Sequence, residues 1–464
     1  MPRKKAVVAG LEKIRREQVD LLPKRERKMP KRTIVMMSVL SLLILTSLVS
    51  TQSGLLAPAL VRAEQPGLLK FIRTVQVTPD NHFLTGCFAR INYVPATNHF
   101  VVTFGTKAST QPGESLGAGY AYKEYSVEMQ ETGKTGLLVW YPNASEAGDS
   151  GSVMVNNTYY CAFVPQDGGG PYGWRVAKYD AINWAMLTEA SVAIEEPNEG
   201  PTDPMVAYIN GQLDITDQYN PSGIWQLGSS TRHRFFSPDL QPISMMTLAD
   251  TPHICGSSII FVDGVYYFVS ADSYTGGLVM MKYDSDWQYL GMKALRQEAH
   301  WSQGMVFDGE YFYVAYLNTS QRTLPTFFPV YPNVHLAVFD RNWDLVHDRI
   351  VTNFTRSDNK MGGRPWVILH GNRLYVSYDV DAVNSTTQEE EAKWQAYVSI
   401  YEIMPPTDLN QDGTVNILDI SIVAKAFGSK PGDPNWNETA DLNKDELVNI
   451  LDISLVARDF GKTT

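Results

Sequence analysis

The sequence is short of cysteine, with Cys87, Cys161 and Cys255 the only three in 464 residues. That count excludes a disulfide-stapled scaffold. The odd set reads as buried small apolar groups, or as one disulfide beside one free thiol. Histidine is scarce as well, at eight. Basic charge is concentrated at one end: residues 1–32 hold 12 Lys/Arg against 4 Asp/Glu, and the other 432 residues hold 27 against 46. A body this acidic is unsuited to gripping phosphates, so nucleic acid is excluded as a partner. Between residues 68 and 403 no amphipathic helical pattern occurs, which leaves strands to build that region. What the chain does have is 44% hydrophobic and 11% aromatic residues, enough to bury a core. Its length suits two or three domains, or one large β domain with an appendage.

One long run carries no charge, from Thr33 to Val61, and its densest part is Ile34 to Val49. A basic flank before an apolar core is the layout of an export signal. Val61-Arg62-Ala63 before Glu64 offers a small-residue cleavage site, and Ala57-Pro58-Ala59 a weaker one. Left uncleaved, the run would form an apolar helix long enough to span a bilayer, with the basic head on the cytoplasmic side. A membrane is a partner only in that case. Both readings place residues 64–464 outside the cell or on its surface. Six Asn-x-Ser/Thr triplets, at Asn143, Asn156, Asn318, Asn353, Asn384 and Asn437, agree with export.

Residues 64–403 read as mainly β. Tyr, Val, Phe and Ile alternate with polar residues, and Asp-Gly or Asn-Gly pairs mark the turns, as in Ile259 to Val269. The hairpins recur, each followed by a strand ending in an aromatic: Tyr179-Asp180, Phe236, Tyr283-Asp284, Phe339-Asp340 and Tyr401-Glu402. A spacing near 50 residues with four strands per unit indicates a β-propeller, with a β-sandwich as the alternative. Two earlier units enter near Gly86 and Gly151, which makes about six blades, with five or seven as neighbouring counts. The last unit stops at its third strand. The orphan strand Phe71 to Val77 would complete it and close the ring.

In a propeller the loops entering the innermost strands meet at the axis, so candidate chemistry is sought there. The carboxylates at these entries are Asp80, Asp149, Asp203 and Glu298. His82, His253 and His300 each lie three or four residues before an entry glycine. Three imidazoles with Asp80 or Glu298 would suit an additional metal at the channel and a metallo-hydrolase. Alternatively, a pair of the carboxylates would serve glycoside hydrolysis. His82, His253, His300, Trp301, Arg364 and Trp366 are the candidate ligand-binding side chains, the tryptophans for stacking on sugar rings. A third reading makes all of these loop caps around a wet channel.

The propeller resembles known ones in architecture alone. Five-bladed glycoside hydrolases place two aspartates and a glutamate at inner-strand entries, and Asp80, Asp149 and Glu298 would be the matching trio. The motifs around them differ. The Ser-x-Asp-x-Gly-x-Thr-Trp boxes of sialidases are absent, as is a Trp-Asp repeat. Fold therefore does not carry function here.

After the junction 404–407 the chain repeats with a period of 33. Asp408, Asn410, Asp412, Thr414, Asn416 and Asp419 align with Asp441, Asn443, Asp445, Leu447, Asn449 and Asp452. Oxygen side chains at loop positions 1, 3, 5, 9 and 12, with a backbone carbonyl at position 7, wrap a hard cation such as calcium. Helices are expected over Ile420–Phe427 and Ile453–Phe460, stopped by Gly428 and Gly461. Residues 408–464 thus resemble a type I dockerin, a calcium-folded module that docks into cohesins. The resemblance implies two calcium sites and a cohesin-contacting surface at Ile417, Leu418, Ala424 and Lys425, repeated at Ile450, Leu451, Ala457 and Arg458. Glu446 stands where glycine eases the sharp turn, so the second site is expected to bind more weakly. The whole reads as an exported protein whose propeller binds a ligand, a polysaccharide or other glycan, and whose dockerin docks it; the alternative is a dockerin-borne hydrolase acting in polysaccharide breakdown.

Overall fold

The computed structural model describes residues 68–78, 87–107, 118–141, 146–166, 174–192, 204–219, 230–248, 257–271, 277–297, 299–318, 332–384 and 394–464. The apolar segment of the head, Thr33 to Val61, lies outside them. Among the described residues, no helix is long and apolar enough to cross a membrane.

Alternating strands joined by tight turns give six four-stranded antiparallel sheets. Asn210-Gly211 and Asp263-Gly264 have positive φ at both positions, the two-residue turn that follows strand twist. Blade 1 runs outward through β2 (Arg90–Val94), β3 (His99–Lys107), β4 (Ala118–Ser126) and β5 (Glu131–Tyr141). Blade 2 is β6 (Glu146–Val155), β7 (Thr158–Gln166), β8 (Trp174–Asp180) and β9 (Met186–Val192). Blade 3 is β10 (Met205–Ile209), β11 (Gln212–Tyr219), β12 (Ser230–Phe236) and β13 (Pro242–Leu248). Blade 4 is β14 (Ser257–Val262), β15 (Val265–Ala271), β16 (Leu278–Asp284) and β17 (Tyr289–Arg296). Blade 5 is β18 (Ala299–Phe307), β19 (Phe312–Asn318), β20 (Asn333–Phe339) and β21 (Leu345–Ile350). Blade 6 is β22 (Lys360–His370), β23 (Arg373–Ala382) and β24 (Gln395–Ile403), completed by β1 (Leu69–Gln76) from the other end of the propeller.

Each innermost strand touches the next, and β22 meets β2, so six blades close the ring. The strands approach so closely that a Cβ on Gly151 would sit 2.4 Å from the Pro204 carbonyl oxygen, and one on Gly304 2.4 Å from the Val367 nitrogen. The glycines at the strand entries are therefore demanded by the neighbouring blade. β1 pairs antiparallel with β24 from Leu69↔Ile403 to Gln76↔Tyr397. Blade 6 is also tied to blade 1: Ser377 Oγ donates to the Ala89 carbonyl at 2.8 Å, and Asp379 accepts from the Phe88 N–H at 2.9 Å.

A turn between the third and fourth strands recurs in blades 1 to 5. Its first residue, Ser126, Asp180, Ser237, Asp284 or Asp340, accepts backbone N–H groups within the turn. A large apolar residue then sits at positive φ: Met129, Trp184, Leu240, Trp287 and Trp343. The left-handed backbone costs each of these residues about 1 kcal/mol or more. Burial and stacking offset it. Trp184 stacks on Tyr122 of blade 1 at 4.6 Å, Trp287 on Tyr266 at 4.1 Å and Trp343 on Phe312 at 4.4 Å. Trp287 also meets His233 of blade 3, and Trp343 meets Tyr267 of blade 4. These side chains wedge consecutive blades together.

The C-terminal module has two helices, α1 (Ile417–Ala426) and α2 (Ile450–Arg458). Both begin three residues before the expected starts. Asn416 and Asn449 cap them, accepting from Leu418 N–H and Leu451 N–H, while Asp419 and Asp452 reach back to the cap nitrogens. Gly428 and Gly461 follow them with φ of +80° and +86°. The halves cross-link symmetrically: Val415 exchanges backbone hydrogen bonds with Gly461 and Lys462, and Val448 with Gly428 and Ser429. Val415, Val423, Val448 and Val456 form their small core.

Cys87 and Cys161 are buried and not joined to one another, and burial pushes the Cys161 thiol well above its ordinary range. Cys255 lies outside the described residues.

Candidate functional site

Two places stand out: the inner-strand entries of the ring, and the paired loops of the C-terminal module. At the entries, Asp80, His82, Asp203, His253 and Glu298 lie outside the described residues. Asp149, His300 and Trp301 lie on described backbone only. That backbone is irregular at these positions. Between Gly148 and Ser150 the ladder of β6 gains one residue against β7, at Asp149. Between His300 and Gly304, β18 gains two against β19, in Trp301-Ser302-Gln303. Between Gly363 and Trp366, β22 gains one against β23, at Arg364-Pro365. Bulges re-aim side chains and interrupt pairing. Among the described residues, the entries of β6, β18 and β22 carry one, each at a candidate residue.

Arg364 and Trp366 are brought together in a buried charge cluster at the seam of blades 6 and 1. Arg364 sits at φ +44°, before Pro365. Its guanidinium lies over the rings of Trp394 and Phe88, at 3.9 and 4.3 Å, and its Nη1 is 3.3 Å from Asp379 Oδ2. Arg90, fully buried, donates to the Arg364 carbonyl at 3.2 Å and lies over Trp366 at 5.2 Å. Asp379 is also fully buried. Burial pushes its carboxyl up, against the opposing pull of Arg364 and the Phe88 N–H. A Cβ on Gly363 would meet Asp379 Oδ1 at 2.2 Å, so the glycine makes room for the carboxylate. Guanidinium, carboxylate and aromatic faces here bind each other across the seam, holding the strained Arg364 and the bulge in one geometry. Arg90, Asp379, Phe88 and Trp394 were not singled out in the sequence; Asp379 and Phe88 are 291 positions apart, and no local pattern joins them.

Inside the ring, the axis holds a cavity of about 610 Å³ lined by all six innermost strands. Its walls are mostly Val, Ile and Met side chains, with Tyr93, Tyr208, Phe261 and Trp366. Asn92 donates to Ser152 Oγ at 3.0 Å across blades 1 and 2, a polar contact in an apolar wall. Neither residue carried a sequence signal.

In the C-terminal module, each loop turns its carboxylates inward. Asp408 Oδ2 accepts from Gly413 N–H at 2.9 Å, and Asp441 Oδ2 from Glu446 N–H at 3.0 Å. The other oxygen of each, Oδ1, is buried without a hydrogen-bond partner. Burial pushes the Asp408 carboxyl up, and nearby Asp419 and Asp412 add to the effect. A buried, unpartnered carboxylate oxygen among other acids is a position a divalent cation would satisfy. For a cation, the remaining oxygens would come from Asn410, Asp412, Asp419 and the Thr414 carbonyl, and from Asn443, Asp445, Asp452 and the Leu447 carbonyl. Asn416 and Asn449 instead donate to those two carbonyls and cap the helices. Among the described residues, no three His, Cys, Asp or Glu side chains gather as a metal cluster. A cation here would therefore depend on amide and carbonyl oxygens as well. Glu446 adopts φ +64° where Gly413 has +93°, so the second loop repeats the first with a strained residue.

The side chains expected to meet a partner point outward. Ile417 and Leu418 are 63% and 54% exposed, and Ile450 and Leu451 have the same two values. Phe427 and Phe460 are exposed beside them.

The type I dockerin domain family model matches residues 406–461. This segment is a type I dockerin. Type I dockerins bind calcium and dock to cohesins, and the orphaned loop oxygens fit the first of these roles. No curated protein matches the chain. Among solved structures, a neuraminidase-like protein from A/bat/Guatemala is 8% identical, with a TM-score of 0.45, over 72% of this chain and 95% of its own. A Trypanosoma rangeli sialidase mutant displaying trans-sialidase activity is 11% identical, with a TM-score of 0.47, over 79% of this chain and 64% of its own. A β-xylosidase/α-arabinofuranosidase from a compost microbial metagenome is 12% identical, with a TM-score of 0.37, over 54% of this chain and 90% of its own. Likeness at this level carries no argument about what the propeller does.

Proposed function

We propose that the chain is an exported or cell-surface component whose dockerin fixes it to a cohesin-bearing partner and whose propeller presents a glycan-binding site. The observation that carries the docking half is the dockerin itself, with paired loops whose inward carboxylate oxygens await a cation and apolar pairs turned to solvent. Its ligands would be those of residues 408–419 and 441–452, two calcium ions in all. Export rests on the basic head and the uncharged run Thr33 to Val61. The ligand half rests on the backbone bulges at Asp149, Trp301-Ser302-Gln303 and Arg364-Pro365, at the starts of three innermost strands. Aromatic rings and carboxylates are the side chain types that suit sugar rings and hydroxyls.

The test of docking is calorimetry of the full chain with purified type I cohesins, with calcium and then with chelator. Binding that appears only with calcium is expected; binding that survives chelation would reject the calcium-folded dockerin as the carrier.

A second reading, hydrolysis, is favoured by the same bulges, since the one in β6 falls at Asp149, a candidate acid. Asp80, Asp149, Asp203 and Glu298 are its candidate acids, with a metal on His82, His253 and His300 as a variant. Two carboxylates about 5–10 Å apart would support it. A polysaccharide hydrolysis and glycan-array screen of the full chain separates the two readings: turnover lost in D149N, D80N or E298Q marks an enzyme, and retention without turnover marks a binding module.

A further inference from the structure

The repeats of the dockerin are near copies, and their sequences give no reason for a partner to prefer either. Each offers an Ile-Leu pair of equal exposure, a phenylalanine and a basic residue, Lys425 or Arg458. The rest of the chain breaks this symmetry.

The α2 side faces the propeller. Leu442, Asn443, Lys444, Leu455, Arg458 and Lys462 form one wall of a cleft of about 310 Å³. Glu310, Tyr311, Asp340 and Val346 of blade 5 form the other. Arg458 feels the charge of Glu310 across it. The junction fixes this arrangement: Met404 N–H donates to the Leu68 carbonyl at 3.0 Å, and Thr407 Oγ1 donates to buried Asp459 at 3.0 Å. The matching line on α1, Leu409, Ile422, Lys425 and Ala426, borders a recess completed by Asn435, Asn437 and Thr439. Among the described residues, all that line this recess belong to the dockerin.

The size of the partner decides the consequence. A stable protein interface covers about 800 Å² on each side, far more than one Ile-Leu pair. A cohesin centred on Ile450 and Leu451 must spread along α2 toward Leu455 and Arg458, about 12 Å away at 1.5 Å per residue. There it meets blade 5. Spreading along α1 it meets exposed Ala424, Lys425 and Phe427 of the dockerin itself.

Resting on the cohesin reading above, we infer that the full chain docks through its first repeat. Ile417 and Leu418 fill an apolar groove of the partner, and Lys425 meets an acid at its rim. The propeller sets the direction in which it is displayed, with the Leu455 to Arg458 end of α2 beside blade 5.

The test compares I417A/L418A with I450A/L451A in the full calcium-loaded chain, binding to a purified type I cohesin that wild type binds. Circular dichroism with calcium checks that both variants fold; all four side chains are exposed, so they should. The first pair is expected to weaken binding at least tenfold more than the second. Equal losses, or a larger loss from the second pair, would overturn the inference while leaving the docking reading intact. Wild type that binds no cohesin in a panel would overturn the docking reading itself.

Discussion

The propeller and the dockerin both repeat a short unit, six times and twice, but hold their repeats together with different forces. In the propeller, consecutive blades meet through buried aromatics. Trp184, Trp287 and Trp343 each sit in a strained backbone conformation and touch a ring of the preceding blade. In the dockerin, the shared core is a few valines and alanines, and in the first loop above it Asp419 and Asp412 add to the rise of the Asp408 carboxyl. Their mutual repulsion is unfavourable until a cation neutralises it. Burial closes one set of repeats, and charge neutralisation closes the other.

The widest way to break this comparison is chelation. Calcium removal is expected to abolish the helical signal of α1 and α2 and leave the β signal of the propeller unchanged, read by circular dichroism. A cation that binds only the folded module stabilises it by about 4 kcal/mol per site at a thousandfold excess over Kd, a large share of what so small a core can supply. Helices that persist in chelator would put the dockerin in the same class as the propeller. The converse experiment is W343A. Losing a buried Trp costs about 3–5 kcal/mol, and the stack on Phe312 is lost with it. A large drop in the propeller's thermal midpoint is expected, with calcium-dependent folding of the dockerin unaffected.

Much of this architecture was legible in the sequence. The spacing of aromatic strand ends indicated the blade count, and the orphan strand before blade 1 indicated closure, because both follow from local alternation and turn chemistry. The dockerin was legible because each of its two acidic loops lies within twelve residues. Helix starts were misjudged because Asn416 and Asn449 looked like ligands alone, whereas their side chains also cap. The turn bearing Trp184, Trp287 and Trp343 went unread, because its opening Asp lies three or four residues before the Trp and its role depends on rings in the preceding blade. The cluster of Arg90, Arg364 and Asp379 was invisible for the same reason: its partners come from opposite ends of the propeller. Of the entry residues, only Arg364 and Trp366 have described side chains, and Arg364 is engaged in holding the seam.

A finer comparison lies within the dockerin, between its two loops. Glu446 occupies the left-handed position that Gly413 occupies in the first, at a cost of about 1 kcal/mol. The substitution E446G removes that strain and is expected to tighten the second calcium site by roughly fivefold, as 1.4 kcal/mol is tenfold. The gain is partly offset by the greater freedom of glycine in the unfolded chain. Calcium titration by calorimetry should show the two sites drawing together in affinity. Unchanged affinity would mean that Glu446 compensates for its own strain.

The smallest effect concerns the joint between the two regions. Burial alone would raise the carboxyl of Asp459, but hydrogen bonds from Arg458, Lys462 and Thr407 outweigh it and hold it at about 2. Thr407 belongs to the junction, so this one carboxylate ties the end of α2 to the chain leaving the propeller. The folded value lies below the ordinary value near 4. The contribution of Asp459 is therefore complete above about pH 4 and lost as pH falls toward 2. D459N keeps the shape and removes the charge. Its cost at neutral pH is expected to be under about 1 kcal/mol, since Arg458 and Lys462 are largely in solvent. The thermal midpoints of wild type and D459N, both with calcium, should differ at pH 6 and converge between pH 4 and 2. A gap that widened on acidification would mean that Asp459 is protonated in the fold, and that the joint is held by the apolar contacts of Met404 instead.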